Sequence, residues 1–484
     1  MTDNTGKKIE HQVRRLARNS VVLAAGGITA QFAFTLIEIL VARKLGAETY
    51  GVFVTAYAWT VLASCLIDFG TSLWTIQEGS RRRARLPALL GSGLSVNFLV
   101  FACLYLVLAI VTIRMAAPGP VQMFLLTLLP YGLILGLQHQ LAAVFSSVQT
   151  MQVNALFQGL TPVVILGFYF AWSAREMTLS DVAFAYVIGG AIATALWFIY
   201  TLRRIRPRFS ATHLLATLRF SYPYGLSSTL GQIFFRTDIV MLAALAGVRE
   251  AGIYAAAFKL VDLVAKVAVL VGRVFAPAIF KASHESGKSF EVYASMMTRV
   301  LAIGGLLAGV VSFVLADEII LLLFGETYAS SASILRILGG VMATRCMMVA
   351  LQLLLSSIDL HMKRVTGLAI TAVIHVAASA ILAPRFGAAG AACATLASGT
   401  LVVLLYALSA SAGRPFRLAR WLLLPSSIAL LAGAVAFFPQ LNPVLAAIIA
   451  ISVFIAGLVA SGFIEQHEVR FVLRSILAGG SRQP

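Results

Sequence analysis

Apolar residues in this chain run together instead of alternating with polar ones. Stretches of about twenty recur from Val21 to Phe463, the length an α-helix needs to cross a bilayer core. They place spans near residues 20–42, 51–76, 87–113, 121–146, 154–174, 179–201, 221–246, 252–280, 297–324, 330–356, 365–384, 387–411, 418–438 and 443–463. Fourteen transmembrane helices joined by short loops follow. Runs this long exclude an outer-membrane barrel, whose strands alternate.

One run departs from the pattern. Gly252 to Phe280, GIYAAAFKLVDLVAKVAVLVGRVFAPAIF, carries Lys259, Asp262, Lys266 and Arg273. At 100° per residue these four fall within about 60° of one another, as one stripe on an apolar helix. Four charges at a helix centre cost about 10–14 kcal/mol on the insertion scale, and the apolar residues return only about 4–8. The helix must face other protein or a wet cavity, which makes the stripe a candidate functional site.

Composition agrees with the pattern: 60% of the 484 residues are hydrophobic and 12% charged. The net charge of +18 does not imply nucleic acid, because most Lys and Arg sit in short loops where they set topology. With the N-terminus inside, the inner segments hold Lys7, Lys8, Arg14, Arg15 and Arg18, the RRRAR loop (Arg81 to Arg85), and Arg203, Arg204, Arg206, Arg208 and Arg219. Further inner residues are Lys281, Lys288, Arg299, Lys363, Arg364, Arg414, Arg417, Arg420, Arg470, Arg474 and Arg482. That makes 25 basic residues, against six outside at Arg43, Lys44, Arg114, Arg175, Arg249 and Arg385. Both termini are therefore expected in the cytoplasm. The first run is too long for a cleaved signal segment and lacks a cleavage site, so it is expected to be retained. Cys65, Cys103, Cys346 and Cys393 lie within apolar spans without CxxC pairing and read as small buried hydrophobes. No loop is long enough for a folded domain. None carries GxSxG, a P-loop, a metal-ligand cluster or paired carboxylates, so neither catalytic nor metal residues are expected.

The chain repeats itself. At an offset of 201, Arg18, Ser20, Gln31, Phe34, Gly46, Gly51 and Phe53 match Arg219, Ser221, Gln232, Phe235, Gly247, Gly252 and Tyr254. At an offset of 210, SSVQTMQ (Ser146 to Gln152) echoes SSIDLHM (Ser356 to Met362). Both copies enter from the same side, so they form parallel six-helix lobes related by an axis along the membrane normal. The expected organisation is a cytoplasmic segment 1–19, an N-lobe 20–202, a cytoplasmic linker 203–220 and a C-lobe 221–411. Two further spans at 418–463 and a cytoplasmic amphipathic tail at 464–484 complete it.

Further motifs fit this frame: VARKLGAETYGVF and LIDFG in the first half, and RTDIVML, AGIYAAAFKL and FAPAIF in the second. LLFGETYASSASILRIL and ILAPRFGAAGAACATLASG follow. Together they resemble the polysaccharide-export flippases of the multidrug/oligosaccharidyl-lipid/polysaccharide (MOP) superfamily. The resemblance implies a bacterial inner-membrane transporter, not an enzyme, that works by alternating access. Its cargo would be an undecaprenyl-diphosphate-linked oligosaccharide destined for O-antigen, exopolysaccharide or capsule. The implied partners are membrane lipids, a polysaccharide polymerase and glycosyltransferases. The last two spans would offer a groove for the lipid tail. Multidrug extrusion is the rival within the superfamily, and a membrane-bound polysaccharide polymerase the rival outside it.

A diphosphate needs cations where water is scarce. Arg236 in span 7, Lys259, Lys266 and Arg273 in span 8, and Arg345 in span 10 are the candidates to line a cationic cavity, with Gln352 one heptad beyond Arg345. The alternative is internal ion pairing, since Asp262 lies three residues after Lys259 and four before Lys266. Glu38, Asp68, Asp238 and Asp262 are the carboxylates available for coupling to H⁺ or Na⁺. For Asp68 the alternative is capping, or pairing with the RRRAR loop. Arg336, about 180° around its helix from Arg345, is expected to pair with Asp317, Glu318 or Glu326. His139 and His375 read as hydrogen-bonded packing residues. Tyr57 and Tyr254 either pack or stack on sugar rings.

The charge pattern makes a direct prediction. In a cysteine-free background, an impermeant thiol reagent applied from the periplasmic side should label Glu48→Cys and leave Ala84→Cys untouched; the reverse labelling would invert the topology.

Overall fold

The computed structural model describes residues 2–115, 119–172, 176–284, 288–413, 418–434 and 442–463. The predicted amphipathic tail 464–484 lies outside them. The described residues form α1 (Thr2–Asp68), α2 (Thr71–Arg81), α3 (Leu86–Arg114), α4 (Pro120–Ser147), α5 (Met151–Trp172), α6 (Leu179–Leu202) and α7 (Ala211–Leu245). The second half contributes α8 (Val248–His284), α9 (Lys288–Val314), α10 (Ala316–Phe324), α11 (Ser331–Ser357), α12 (His361–Gly413), α13 (Leu418–Gly433) and α14 (Pro443–Ala460). Among the described residues nine helices are long and apolar enough to cross a membrane, and two of them, at 53 and 50 residues, suffice for two crossings each. Eleven of the fourteen predicted spans fall on these nine helices; spans 7, 8 and 13 fall on α7, α8 and α13, which are not among the nine, and α13 holds only a shorter apolar helix, Leu424–Gly433. Spans 1 and 2 are the arms of α1, bent at Gly46, and spans 11 and 12 are the arms of α12, bent at Gly387. Pro130, Pro162, Pro223 and Pro384 lie inside their helices and do not end them.

Backbone geometry confirms both repeats. Gly46 and Gly247, 201 residues apart, both have positive φ, at 72° and 99°, a conformation that Cβ-bearing residues enter only at a cost. Gln149 and Asp359, 210 residues apart, share φ values of 63° and 59°. Each ends a helix the same way: the Thr150 amide donates to the Phe145 carbonyl, and the Leu360 amide to the Leu355 carbonyl, both at 2.9 Å.

The chain packs into two compact units. The first comprises residues 1–259, 324–328 and 376–391. In it α1 packs along α4 and α5, which meet α6, and α7 lies against α1, α2 and α3. Leu90, Leu94, Leu141, Phe145, Phe157 and Trp197 form a buried apolar core. The second arm of α1 stops at Asp68, turns through Phe69 and Gly70 at positive φ, and resumes as α2. Glycine lets backbones touch at several places here. A Cβ on Gly70 would lie 2.2 Å from the Gly225 amide on α7. Near the Gly46 bend, a Cβ on Gly51 would lie 1.7 Å from the Val248 carbonyl oxygen, and one on Gly252 would lie 2.0 Å from that of Ala47. Positions 47 and 248, like 51 and 252, are equivalent in the repeat. The contact is therefore reciprocal, as expected where a local twofold axis passes.

The second unit holds residues 260–323, 329–375 and 392–484. Its centre is α9 against α11, where Gly309 and Gly339 touch backbone to backbone. The two extra helices α13 and α14 pack on α9 through Val310, Ala432, Ala446, Ala450, Phe454 and Leu458. All four cysteines are free. Cys65 and Cys346 are buried as expected, but Cys103 and Cys393 are exposed, which corrects the reading of all four as buried.

Replacing either glycine of the reciprocal crossing should abolish folding. Gly51→Val and Gly252→Val are expected to yield no monodisperse protein on size-exclusion chromatography. Gly247→Ala should cost about 1–2 kcal/mol for its positive φ. Gly159→Ala, which has open space where the Cβ would go, should leave unfolding unchanged.

Candidate functional site

The α8 charges separate according to their surroundings. Lys259 is buried, Asp262 half-buried, and Lys266 and Arg273 exposed. Lys259 forms an ion pair with Glu38 on the first arm of α1, itself only 4% exposed. The partner is thus the acid from the opposite repeat and not Asp262, which the spacing along the helix suggested. Such a pair recovers the desolvation of its two charges only while both partners are present. The positions equivalent to Glu38 and Lys259 by the offset of 201 are Ile239 and Ala58, both buried. The fold therefore accepts apolar residues where it holds this pair.

Beside it, the Tyr254 hydroxyl donates to the Asp238 carboxylate at 2.9 Å, and both residues are buried. Tyr254 is fully buried and stacks on Phe258, which leaves no open ring face for a sugar. Arg236, half-buried, lies one turn earlier on α7 than Val240 and two residues from Asp238. Asp68 takes the capping role. It accepts the Ser72 amide at 3.2 Å and the Ser72 hydroxyl at 2.8 Å, and so fastens α2 to the end of α1. The RRRAR loop meets a different acid: Arg85 bonds Glu78 at 2.8 Å.

In the second unit, α8 and α11 meet where a Cβ on Gly272 would lie 3.1 Å from Val349. On α11, Arg345, Val349 and Gln352 share one stripe. Arg345 and Gln352 are half-buried. Arg336 pairs with Asp317, one of its three expected partners. His375 is buried, with its Nδ1 2.9 Å from the Ser398 hydroxyl, in keeping with a packing role, whereas His139 is exposed. The structure thus joins Glu38 to Lys259 and Asp238 to Tyr254, sets Asp68 apart as a cap, and leaves Lys266 and Arg273 exposed on their stripe.

Two further contacts had no signal in the sequence. The Glu250 carboxylate accepts the Ala388 amide at 2.8 Å, capping the second arm of α12 beyond its bend. Tyr328 donates to the Ala42 carbonyl at 2.9 Å, and burial raises its phenol above the ordinary range, which keeps it a donor. Both contacts sit at the end of the first unit that carries the Gly46 bend. At its other end, Trp74 stacks on Phe220 at 5.4 Å, Tyr224 bonds Gln77, and the Ser92 and Thr217 hydroxyls lie 2.8 Å apart. There α7 is clasped against α2 and α3.

Residues 16–283 match a family described as polysaccharide biosynthesis protein. The chain is 25% identical over 389 residues to the EPS I polysaccharide export inner membrane protein EpsE of Ralstonia solanacearum, covering 76% of this chain and 87% of that protein. It is 26% identical over 304 residues to the teichuronic acid biosynthesis protein TuaB of Bacillus subtilis (strain 168), covering 60% of each. Among solved structures, the lipid II flippase MurJ in an inward closed conformation superposes with a TM-score of 0.72 at 14% identity, over 92% of this chain and 98% of that one. An inward-facing multidrug resistance MATE family transporter of the MOP superfamily superposes with a TM-score of 0.62 at 15% identity, over 79% and 95%. Likeness at these identities speaks for the fold, which is the two-lobed all-helical one that the repeat predicted.

The buried pair gives a stability prediction. Glu38→Ala takes the carboxylate away from the buried Lys259 and should cost about 3–5 kcal/mol, whereas Glu38→Leu with Lys259→Met should unfold close to wild type or above it. Thermal unfolding in one detergent distinguishes the two.

Proposed function

The chain belongs to the polysaccharide biosynthesis protein family, and on that premise we propose that it is a flippase for an undecaprenyl-diphosphate-linked oligosaccharide. It moves the cargo from the cytoplasmic to the outer leaflet of the inner membrane by alternating access, with both termini inside. The observation that carries this reading is the α8 stripe. Lys266 and Arg273 remain exposed on a helix whose repeat counterpart, VFVTAYAWTVLASCLIDFG, has no Lys or Arg.

A diphosphate cannot cross a hydrocarbon core with its charge unmet. Cations on a membrane-spanning helix meet it, and a low local dielectric strengthens each contact. Lys266, Arg273 and Arg345 receive the diphosphate, with Gln352 as a neutral donor beside Arg345. Arg236 and Lys259 serve the same anion at other stages of the cycle. Coupling to H⁺ or Na⁺ falls to Glu38, Asp238 and Asp262, because Asp68 is committed to its cap. A drug-extruding transporter of cationic cargo would need acids where this stripe carries exposed bases. The glycosyltransferases that build the oligosaccharide and the polymerase that extends it act before and after this step.

Deletion of the gene should leave lipid-linked oligosaccharide accumulated on the cytoplasmic face, and the wild-type chain should clear it. Lys266→Gln with Arg345→Gln, present at wild-type level, should not. Undiminished export by that double variant would remove the stripe from the mechanism.

A further inference from the structure

We propose that Glu38 is an internal stand-in for the cargo's diphosphate: it holds Lys259 while the site is empty and surrenders it when a diphosphate arrives, releasing the α1–α8 crossing. This rests on the flippase reading and adds to it a residue and a trigger. Three observations converge on it. First, Lys259 belongs to the same stripe as Lys266 and Arg273, yet among the described residues it alone of the three cations is buried and ion-paired. Lys266 follows it by two turns, about 10 Å of helix, a gap that two lysine side chains reaching toward one diphosphate can bridge. Second, the pair joins α1 to α8 just beyond the reciprocal Gly51–Gly252 contact, at the end that the charge pattern puts outside. Third, packing does not require the charges, because the repeat fills the equivalent positions with Ile239 and Ala58.

A buried ion pair adds little stability over an apolar one, but it can be exchanged. An ammonium on a flexible stem is suited to trading one oxyanion for another. A diphosphate presents more charge than a carboxylate, so a cargo anion held by Lys266 competes well for Lys259. Losing Lys259 frees the first arm of α1 from α8 and removes the ion pair that braces the glycine crossing beside it.

The test uses the full chain in proteoliposomes, with the four native cysteines replaced and new ones at Ala47 and Val248. These two positions flank the glycine crossing, so oxidative cross-linking reports how much of the protein has it closed. Undecaprenyl diphosphate should lower cross-linking several-fold, and undecaprenol should not. Inorganic diphosphate separates the sources: a comparable drop assigns the effect to the anion alone, no drop assigns it to the lipid-borne form, and both support the exchange. Glu38→Gln should cross-link several-fold less with no ligand added. Glu38→Leu with Lys259→Met should stay closed with or without lipid diphosphate, which keeps the test valid if Glu38→Gln does not fold. Wild-type cross-linking in folded Glu38→Gln, opening by undecaprenol, or opening of the apolar variant by lipid diphosphate would each overturn the proposal. The flippase reading stands or falls separately, on cargo accumulation in the deletion strain.

Discussion

A charge inside a membrane must be met by something, and this chain meets its charges in two different ways. Lys259 is met from within, by Glu38 on another helix. Lys266 and Arg273 stay exposed on the same stripe. The insertion cost of the α8 stripe, about 10 kcal/mol or more for four central charges, is therefore only partly recovered inside the protein. The remainder is tolerable only if water or an anion reaches the exposed cations. That physical debt is what the proposed function answers with a charged cargo.

The rest of the fold holds this helix in place. Its first turns cross α1 at the reciprocal glycine contact, where the two repeats meet as equals. Further along, it packs on α11 beside Val349, on a face about 100° away from the charged stripe. The symmetry is broken at two places. Glu38 and Lys259 replace what are isoleucine and alanine at the equivalent positions, and the helix break at Phe69–Gly70 in span 2 has no counterpart in the continuous α8.

Much of this was legible in the sequence, for physical reasons. Hydrophobic runs report helices directly because the bilayer demands them. Gly46 and Gly247 revealed the repeat because a positive φ keeps glycine in place after other identities have drifted. Arg336 and Asp317 could be paired because both lie near one end of neighbouring helices. The partner of Lys259 was not legible, since periodicity orders charges on one helix and says nothing of a helix more than two hundred residues away. Asp262 looked the better partner because it was local. The cap that Glu250 places on α12, and the anchoring of Tyr328 to Ala42, are long-range in the same sense.

The most direct measurement is flipping itself. Purified protein would be reconstituted with a fluorescent undecaprenyl-diphosphate oligosaccharide, and leaflet exchange followed by the access of an added glycosidase. Wild type should expose the internal pool at a rate that falls at least tenfold in Lys266→Gln with Arg273→Gln, with the folded yield unchanged. Equal rates for the two proteins would show that the α8 cations do not carry the diphosphate.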